Sequence, residues 1–239
     1  MKVGLVIFSR FDSIRLPGKA LQSIGDRPLL GHVISRAHRV GTEYEIVVAT
    51  SDRPIDDSIA DFAKGQGVAV FRGAADDCLA RASACAETHG FDAIARICGD
   101  RAFFDPGLVK RLIGELLARK VDLATNLVER TFPVGASVEI VTLDAMRRML
   151  AETDDPFERE HMTTYIYRNP ERFEIWNLTA PEPRHPEVRL VVDDRHDLDR
   201  ACWIAERLGD DVITADLKKV TALALRWPDD SISAEDERP

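Results

Sequence analysis

The residues between positions 9 and 19 combine positive charge with small polar side chains. Arg10, Arg15 and Lys19 supply three cations, and two serines and Gly18 accompany them. Guanidinium and ammonium groups neutralise phosphate oxygens, and the N–H groups of a glycine-containing loop donate hydrogen bonds to them. The segment matches neither a Walker A motif nor GxGxxG, which disfavours P-loop and dinucleotide-binding interpretations. It therefore predicts a polyphosphate-binding loop, with an unliganded basic surface loop as the alternative.

Two aspartates each follow an apolar run that is typical of a buried strand. Asp100 comes two residues after Ala93–Cys98, and Asp193 comes directly after residues 190–192. Two carboxylates from different strand ends suit a hard, oxygen-seeking cation. Asp194 carries the same group as its neighbour and could serve in its place, although the register favours Asp193. For Asp100 the alternatives are a helix N-cap and a surface ion pair.

The first half of the sequence alternates short apolar runs with amphipathic patterns. The runs predict buried strands at Val3–Phe8, 45–49, 68–71 and Ala93–Cys98, and the patterns between and after them predict helices over 28–40, 54–65, 75–89 and 106–119. In the first of these helices, Arg36 and Arg39 lie outside the apolar stripe. Such alternation predicts right-handed βαβ units and a parallel sheet covered on both faces. Ligands of such sheets bind at the carboxyl ends of the strands, which is where the basic loop begins.

The pattern is looser in the second half. It predicts strands at 138–141, 173–178 and 190–192, and helices over 142–151, 156–168, 195–208 and 214–226. Residues 1–227 are expected to form one domain. The polar, acidic end at 228–239 is expected to be disordered.

Composition restricts the classes of protein that this chain can belong to. The 239 residues are 45% apolar and 31% charged, with 32 basic and 41 acidic side chains and a net charge of −9. An acidic chain is poorly suited to nucleic acid or to a membrane surface, and no apolar run is long enough for a transmembrane helix or a signal-peptide core. The four cysteines lack zinc-site spacing. A cytoplasmic protein with reduced cysteines is expected.

Several segments, taken in order, resemble one family. The stretch from Arg10 to Lys19 resembles the RxxSxRLPGK signature of the cytidylyltransferases that activate sugar acids, such as CMP-Kdo and CMP-sialic acid synthetases. Residues 70–73 (VFRG) and 96–100 (RICGD) resemble two further family segments. Residues 158–161 (EREH) and 165–167 (YIY) resemble the spore-coat polysaccharide subgroup. The similarity spans residues 2–208 and is most specific in the ordered set of motifs.

The resemblance implies roles for residues around the nucleotide. Arg10, Lys19 and Asp100 are implied as the catalytic residues, with the two cations on the triphosphate of CTP and the aspartate as the principal Mg²⁺ ligand. Asp193 is implied as the second ligand of that metal. The implied nucleotide-binding residues are Ser9, Arg10, Arg15, Gly18, Lys19, Arg72 and Cys98.

The acceptor side is where this chain departs from the family. The resemblance places acceptor binding and a homodimer contact at residues 130–180 and implies that Arg101, Ser137, Glu139 and His161 contact the acceptor. Cys98 stands where the Kdo enzymes have glutamine, Arg101-Ala102 lacks the family's proline, and Ser137 replaces an aspartate. Arg101 either pairs with Asp100 or binds an anionic acceptor. These departures suggest a divergent acceptor or lost activity.

The sequence therefore predicts a Rossmann-like α/β nucleotidyltransferase fold, a three-layer sandwich with a mixed, mostly parallel sheet and a small dimerisation subdomain. The implied reaction is in-line attack of an acidic sugar's hydroxyl on the α-phosphorus of CTP, with Mg²⁺ and release of pyrophosphate. An aspartate or a metal-bound hydroxide would take the proton. The alternatives are a nucleotide-sugar-dependent glycosyltransferase, a class that lacks RLPGK, and a non-catalytic nucleotide-binding homologue.

Overall fold

The computed structural model describes residues 1–228, so the acidic tail lies outside the described residues except for Pro228. The strands are β1 (Val3–Phe8), β2 (Ser23–Ile24), β3 (Arg27–Pro28), β4 (Glu45–Ser51), β5 (Ala69–Gly73), β6 (Ala93–Cys98), β7 (Leu123–Thr125), β8 (Glu139–Thr142) and β9 (Ile175–Asn177). The helices are α1 (Leu29–Ala37), α2 (Asp57–Gly65), α3 (Cys78–His89), α4 (Pro106–Arg119), α5 (Leu143–Glu152), α6 (Pro156–Glu160), α7 (Thr164–Arg168), α8 (Arg195–Leu208) and α9 (Leu217–Ala224).

Seven of these strands form one mixed sheet in the order β5-β4-β1-β6-β8-β7-β9. Strands β5, β4, β1 and β6 are parallel to one another. Strand β8 pairs antiparallel with β6 and with β7, and β9 is parallel to β7. The sheet is therefore mostly parallel, with β8 as its reversed strand. This confirms the predicted α/β fold with a mixed, mostly parallel sheet. Strands β2 and β3 form a separate two-stranded ribbon.

Alternating side chains of strand β1 pack on both faces of the sheet. Leu5 and Ile7 join the core cluster that contains apolar residues of α1, α2 and α4. Val6 points to the opposite cluster, which contains residues of α3, α5 and α7. Because successive side chains of a strand alternate in direction, a strand covered by helices on both sides must be apolar throughout. That requirement explains the uninterrupted run VGLVIF.

Local signals set where the helices begin. The Asp105 side chain caps α4 by accepting hydrogen bonds from the N–H groups of Gly107 and Leu108, and Pro106 occupies the first turn, where a proline costs no hydrogen bond. Asp194 caps α8 by accepting from the N–H of Asp197. Helix α8 packs with α9 and the ribbon in a third apolar cluster.

Two expectations from the sequence are corrected, and one strand was missed. Residues 190–192 are not a strand: an isolated bridge joins Val134 to Arg189, just before this range, and the pairing does not continue into it. The helix expected over 156–168 is interrupted after Glu160 and resumes at Thr164. Strand β7 was not anticipated.

Arg36 was expected to lie outside the apolar stripe of α1, but the structure places it in the interior. Its side chain is fully buried, and its guanidinium donates to the carbonyl oxygens of Phe104, Val212 and Ala215. Burial lowers the pKa of Arg36 to about 10. The residue therefore joins α1 to the loop after β6 and to the segment before α9.

Candidate active site

A cleft opens at the carboxyl ends of β1 and β6, the two strands at the centre of the sheet. Phe8 and Cys98, the last residues of these strands, are register partners, and the N–H of Gly99 donates to the carbonyl oxygen of Phe8 at 2.8 Å. A Cβ atom on Gly99 would lie 2.8 Å from Cβ of Ser9, so only glycine permits this approach. The cleft, of about 230 Å³, is lined by Phe8, Ser9, Arg10, Asp12, Ser13, Lys19, Ala20, Gly99 and Asp100.

The backbone of the basic loop returns Lys19 to this cleft. Gly18 adopts the left-handed conformation with φ 69°, and its N–H donates to the carbonyl oxygen of Phe11 at 2.7 Å. A Cβ at Gly18 would also lie 3.0 Å from the Phe11 ring. Lys19 then begins a short 3₁₀ turn, Lys19–Leu21. The loop is thus closed on itself, which holds its cations beside the end of β1.

Lys19 brings together the two aspartates that the sequence singled out. Its Nζ lies 3.1 Å from Oδ2 of Asp100, 3.0 Å from Oδ1 of Asp193 and 2.8 Å from the carbonyl oxygen of Val192. Oδ1 of Asp100 is buried and has no hydrogen-bond partner in the structure. A buried carboxylate oxygen without a donor is unfavourable unless a ligand completes it. This oxygen is therefore available to a donor or cation that arrives with a ligand.

Asp193, rather than its neighbour, contacts Lys19. Its Oδ2 lies 3.0 Å from Arg15 and 2.7 Å from Arg189, while Asp194 is engaged in capping α8. Partial burial raises the pKa of Asp193, but the hydrogen bonds and charges of Lys19, Arg15 and Arg189 outweigh it and leave the pKa below its usual value. Asp193 is therefore a carboxylate held in its charged form.

Asp197 and Arg189 form a second layer that orients Asp193. Asp197 is 3% exposed and accepts the backbone N–H of Asp193 at 2.9 Å. The same carboxylate takes two hydrogen bonds from Nε of Arg189, at 3.0 and 3.2 Å, and contacts Arg200. Sequence reasoning missed the role of Arg189. The four-residue spacing between Asp193 and Asp197 was the available signal, but it did not reveal which cation would join them.

Arg10 is held at the edge of the cleft by a residue that the sequence analysis did not select. Its Nη2 lies 2.7 Å from Oε1 of Glu160, and its Nη1 donates to the carbonyl oxygen of Ala75 at 2.6 Å. Oε2 of Glu160 is buried without a hydrogen-bond partner. The contact joins the end of α6 to the basic loop across 150 positions of sequence.

Arg72 and Cys98 were both expected beside the nucleotide. Arg72 is bound to neighbouring strand ends, whereas Cys98 lies next to the cleft. Nε and Nη2 of Arg72 donate to the carbonyl oxygens of Ser51 and Arg53, and Nη1 donates to Asp57. Arg72 therefore joins the end of β5 to the end of β4. Because Nε, Nη1 and Nη2 already have partners, this arrangement does not favour a contact with the base or ribose. Cys98 is half-buried at the end of β6, next to the cleft.

Of the four residues expected on the acceptor side, the structure brings Arg101 and Ser137 together. Arg101 is half-buried and donates to the carbonyl oxygen of Ser137 at 2.6 Å, so the alternative in which it pairs with Asp100 is not observed. His161 is exposed, with its ring edge-on to Phe157 at 4.5 Å between centroids. Within residues 1–228, no hydrogen bond, ion pair or ring contact joins Arg101 to His161.

Glu139 lies away from solvent, and its carboxylate is held by three side chains. It is 1% exposed, and its carboxylate accepts from Thr163 at 2.6 Å, Tyr167 at 2.8 Å and Arg96 at 2.5 Å. Burial raises the pKa of Glu139, but Arg96 and the two hydroxyl donors outweigh it and lower the pKa below its usual value. The expectation that Glu139 contacts the acceptor is therefore not supported by this geometry, because its oxygens are already occupied.

The donor set suits one hard divalent cation that a ligand helps to coordinate. Asp100 and Asp193 share one ammonium group, and Oδ1 of Asp100 has no partner. Within residues 1–228 no group of three or more metal-binding side chains occurs. Magnesium takes one or two carboxylates and completes its shell with phosphate oxygens and water, so the residues fit it when a phosphate is present.

Fold and site together define an α/β protein whose cations and carboxylates meet at the carboxyl ends of its central strands, the edge at which sheets of this kind bind ligands. Residues 5–225 match the cytidylyltransferase family model, and the chain belongs to that family, a family of nucleotidyltransferase enzymes. The spore coat polysaccharide biosynthesis protein SpsF of Bacillus subtilis (strain 168) is 30% identical over 213 residues, which cover 86% of this chain and 87% of that protein.

Solved structures agree with this assignment. The structure of a cytidylyltransferase from Leptospira borgpetersenii serovar Hardjo-bovis (strain JB197) has a TM-score of 0.89 and 28% identity, and covers 100% of this chain and 98% of that one. A CMP-2-keto-3-deoxy-manno-octonic acid synthetase complexed with CTP has a TM-score of 0.64 and 18% identity, over 87% of this chain and 99% of that one. This second likeness shows a shared fold. No helix in residues 1–228 is long and apolar enough to cross a membrane.

Proposed function

We propose that this enzyme transfers CMP from CTP to a hydroxyl group of an acidic sugar and releases pyrophosphate. The observation that carries the proposal is the meeting of Lys19 with Asp100 and Asp193 in a cleft that Arg10 also lines. Cations for a triphosphate and carboxylates for its metal are thereby within reach of one bound nucleotide. Family membership and the similarity to SpsF support nucleotidyl transfer in polysaccharide synthesis.

The reaction requires positioning and charge neutralisation rather than an enzyme nucleophile. The acceptor's hydroxyl oxygen forms a bond to the α-phosphorus while the bond to the β-phosphate oxygen breaks, and pyrophosphate leaves with the electron pair. The hydroxyl proton passes to a base. Lys19 and Arg10 neutralise the charge that grows on the departing phosphates, and such preorganised charges act most strongly in a water-poor site. Ser9 and Gly18 shape the loop against the phosphates, and Arg15 adds a more exposed cation.

Asp100 and Asp193 would hold Mg²⁺. When bound, this ion polarises the phosphate oxygens and helps to orient the triphosphate. Oδ1 of Asp100, which is buried without a partner, supports this assignment because a cation would satisfy it. Asp193 would contribute Oδ1, since Arg189 already holds its Oδ2 at 2.7 Å.

The acceptor would enter from the side of Arg101 and Ser137, where the guanidinium of Arg101 lies 2.6 Å from the carbonyl oxygen of Ser137. His161 would contact the acceptor only after a movement or from a second subunit, because its ring lies on Phe157. A homodimer formed through residues 130–180 is part of the proposal. Met146, Met149, Tyr165 and Phe173 are buried within one chain, however, which leaves the exposed Phe157 as a more suitable contact residue.

The test is a screen of acidic sugars with CTP and Mg²⁺, read out as pyrophosphate release. The proposal expects at least one acid sugar to release pyrophosphate with CTP and the same sugar to release little with ATP or GTP. Binding of CTP without turnover across a broad panel would favour a non-catalytic homologue. Absence of both binding and turnover would refute the proposal.

A further inference from the structure

The carboxylates proposed to bind the metal are already neutralised by side chains of the chain itself. Nζ of Lys19 lies between Asp100 and Asp193, and the Val192 carbonyl oxygen completes a set of three acceptors at 2.8–3.1 Å. An ammonium group has three N–H donors, so all of them are used. Its side chain is 13% exposed, which leaves little solvent around the charge.

A divalent cation cannot join these carboxylates while the ammonium remains there. Oδ2 of Asp100 and Oδ1 of Asp193 are the oxygens that Lys19 contacts, and Oδ2 of Asp193 is occupied by Arg15 and Arg189. Only Oδ1 of Asp100 is open, and it lies within the same carboxylate that the ammonium contacts. Positive charges a few ångströms apart repel strongly where water is scarce. The site is thus unfavourable for a free metal ion.

A triphosphate offers Lys19 an alternative partner. The cleft that Lys19 lines also contains Arg10 and Ser13, so phosphates bound there would lie within reach of its flexible side chain. Movement of Nζ onto a phosphate oxygen would release one oxygen of each aspartate. Arg189 would stay behind, because Asp197, itself 3% exposed, holds it by hydrogen bonds of 3.0–3.2 Å. Asp193 would therefore keep its orientation while Lys19 leaves.

We infer that Lys19 gates the metal site, so that the divalent cation binds with or after the nucleotide triphosphate and not before it. This inference rests on the proposed function for the identity of the two metal-binding aspartates. It assigns Lys19 two positions, one on the carboxylates when the cleft is empty and one on the phosphates when it is filled.

The full-length protein tests the order of binding directly. Calorimetry in EDTA measures the affinity for the non-reacting analogue α,β-methylene-CTP, and electron paramagnetic resonance measures the affinity for Mn²⁺ alone. The expected result is measurable binding of the analogue without metal, and Mn²⁺ binding at least tenfold weaker without the analogue than with it. Equal Mn²⁺ affinity in the two states would overturn the inference. Failure of the analogue to bind, with or without Mn²⁺, would instead refute the proposed function.

A variant separates the gate from the rest of the site. Lys19→Gln removes the ammonium, so this protein without nucleotide should bind Mn²⁺ at least tenfold more tightly than the wild type. Lys110→Gln, the same change at a side chain that is 60% exposed, should bind Mn²⁺ as the wild type does. Unchanged Mn²⁺ affinity in a folded Lys19→Gln protein would overturn the inference. If that variant does not fold, the wild-type measurements decide.

The double variant Lys19→Gln, Asp100→Asn locates the ion. Loss of the gained Mn²⁺ binding places the ion at Asp100, as the inference requires. Retention of that binding would mean that the ion sits elsewhere, which refutes the assigned metal ligands as well as the gate.

Discussion

The guanidinium of Arg101 donates through Nη1 to the carbonyl oxygen of Ser137 at 2.6 Å. These are two of the positions at which the chain departs from the pattern that its motifs otherwise resemble. The contact ties the loop after β6 to the segment before β8. It also holds the guanidinium of Arg101 on the side from which we propose that the acceptor enters.

Replacing Arg101 should weaken binding of the acceptor and leave binding of the nucleotide unchanged. For Arg101→Ala we expect the KM of an anionic acceptor to rise about tenfold or more, the effect of losing one hydrogen bond between charged groups. The KM of CTP should stay within about twofold. Steady-state kinetics with each substrate varied in turn measures both. The matched control is Arg111→Ala, at an exposed position on α4. An equal rise of the acceptor KM in that variant would contradict a role of Arg101 in acceptor binding.

Adjacent aspartates should behave differently when each is changed to alanine. Asp193→Ala removes a carboxylate that faces Lys19, and turnover should fall about 100-fold or more because charge stabilisation at the phosphates is lost. Asp194→Ala removes the cap of α8 and should lower the free energy of unfolding by about 1 kcal/mol, with turnover retained. Turnover assays and denaturant unfolding measure the two effects. A greater loss of turnover for Asp194→Ala would reverse the assignment.

Stability at acidic pH should depend on Glu139. Its pKa in the folded protein lies below the usual 4.5, so its contribution is complete above pH 4.5 and is lost as the pH falls through the folded-state pKa. Below pH 4.5 the free energy of unfolding should therefore fall more steeply for the wild type than for Glu139→Gln. Urea unfolding from pH 7 to pH 3 measures both slopes.

At pH 7 the same variant should be less stable by about 3 kcal/mol, because Arg96 is left buried without its counter-ion. Parallel pH profiles for the two proteins would show that Glu139 does not titrate as described.

Arg36 should matter to stability although it is remote from the cleft. Arg36→Met removes hydrogen bonds to three carbonyl oxygens and leaves those oxygens buried. The free energy of unfolding should fall by about 3 kcal/mol. Arg39→Met, at an exposed position on the same turn, should change it by less than about 0.5 kcal/mol. Equal effects would contradict the placement of Arg36.

Long apolar runs made the centre of the sheet predictable. Val3–Phe8 and Ala93–Cys98 have the predicted bounds because both faces of each strand are covered. Strand β7 was missed because Leu123–Thr125 has three residues, too few to show a period. Residues 190–192 are apolar for a different reason: Leu190 and Val192 pack against α8, and the backbone there bonds singly to Val134 and Asp100.

The site was predictable where it follows strand ends and unpredictable where side chains meet across the fold. Lys19, Asp100 and Asp193 lie together as expected from their positions after apolar runs. Glu160 reaches Arg10 from 150 positions away, and no local pattern indicates such a pairing. Arg36 was placed outside the apolar stripe on the helical period alone. That period does not reveal a buried arginine that bonds to carbonyl oxygens.

The most direct test of the central claim follows the phosphorus atoms of CTP. With an accepted acid sugar and Mg²⁺, label at the α-phosphorus should appear in a CMP–sugar conjugate, and label at the γ-phosphorus should appear in pyrophosphate. Release of the α-label only as free CMP, or of the γ-label as monophosphate, would show hydrolysis and contradict nucleotidyl transfer.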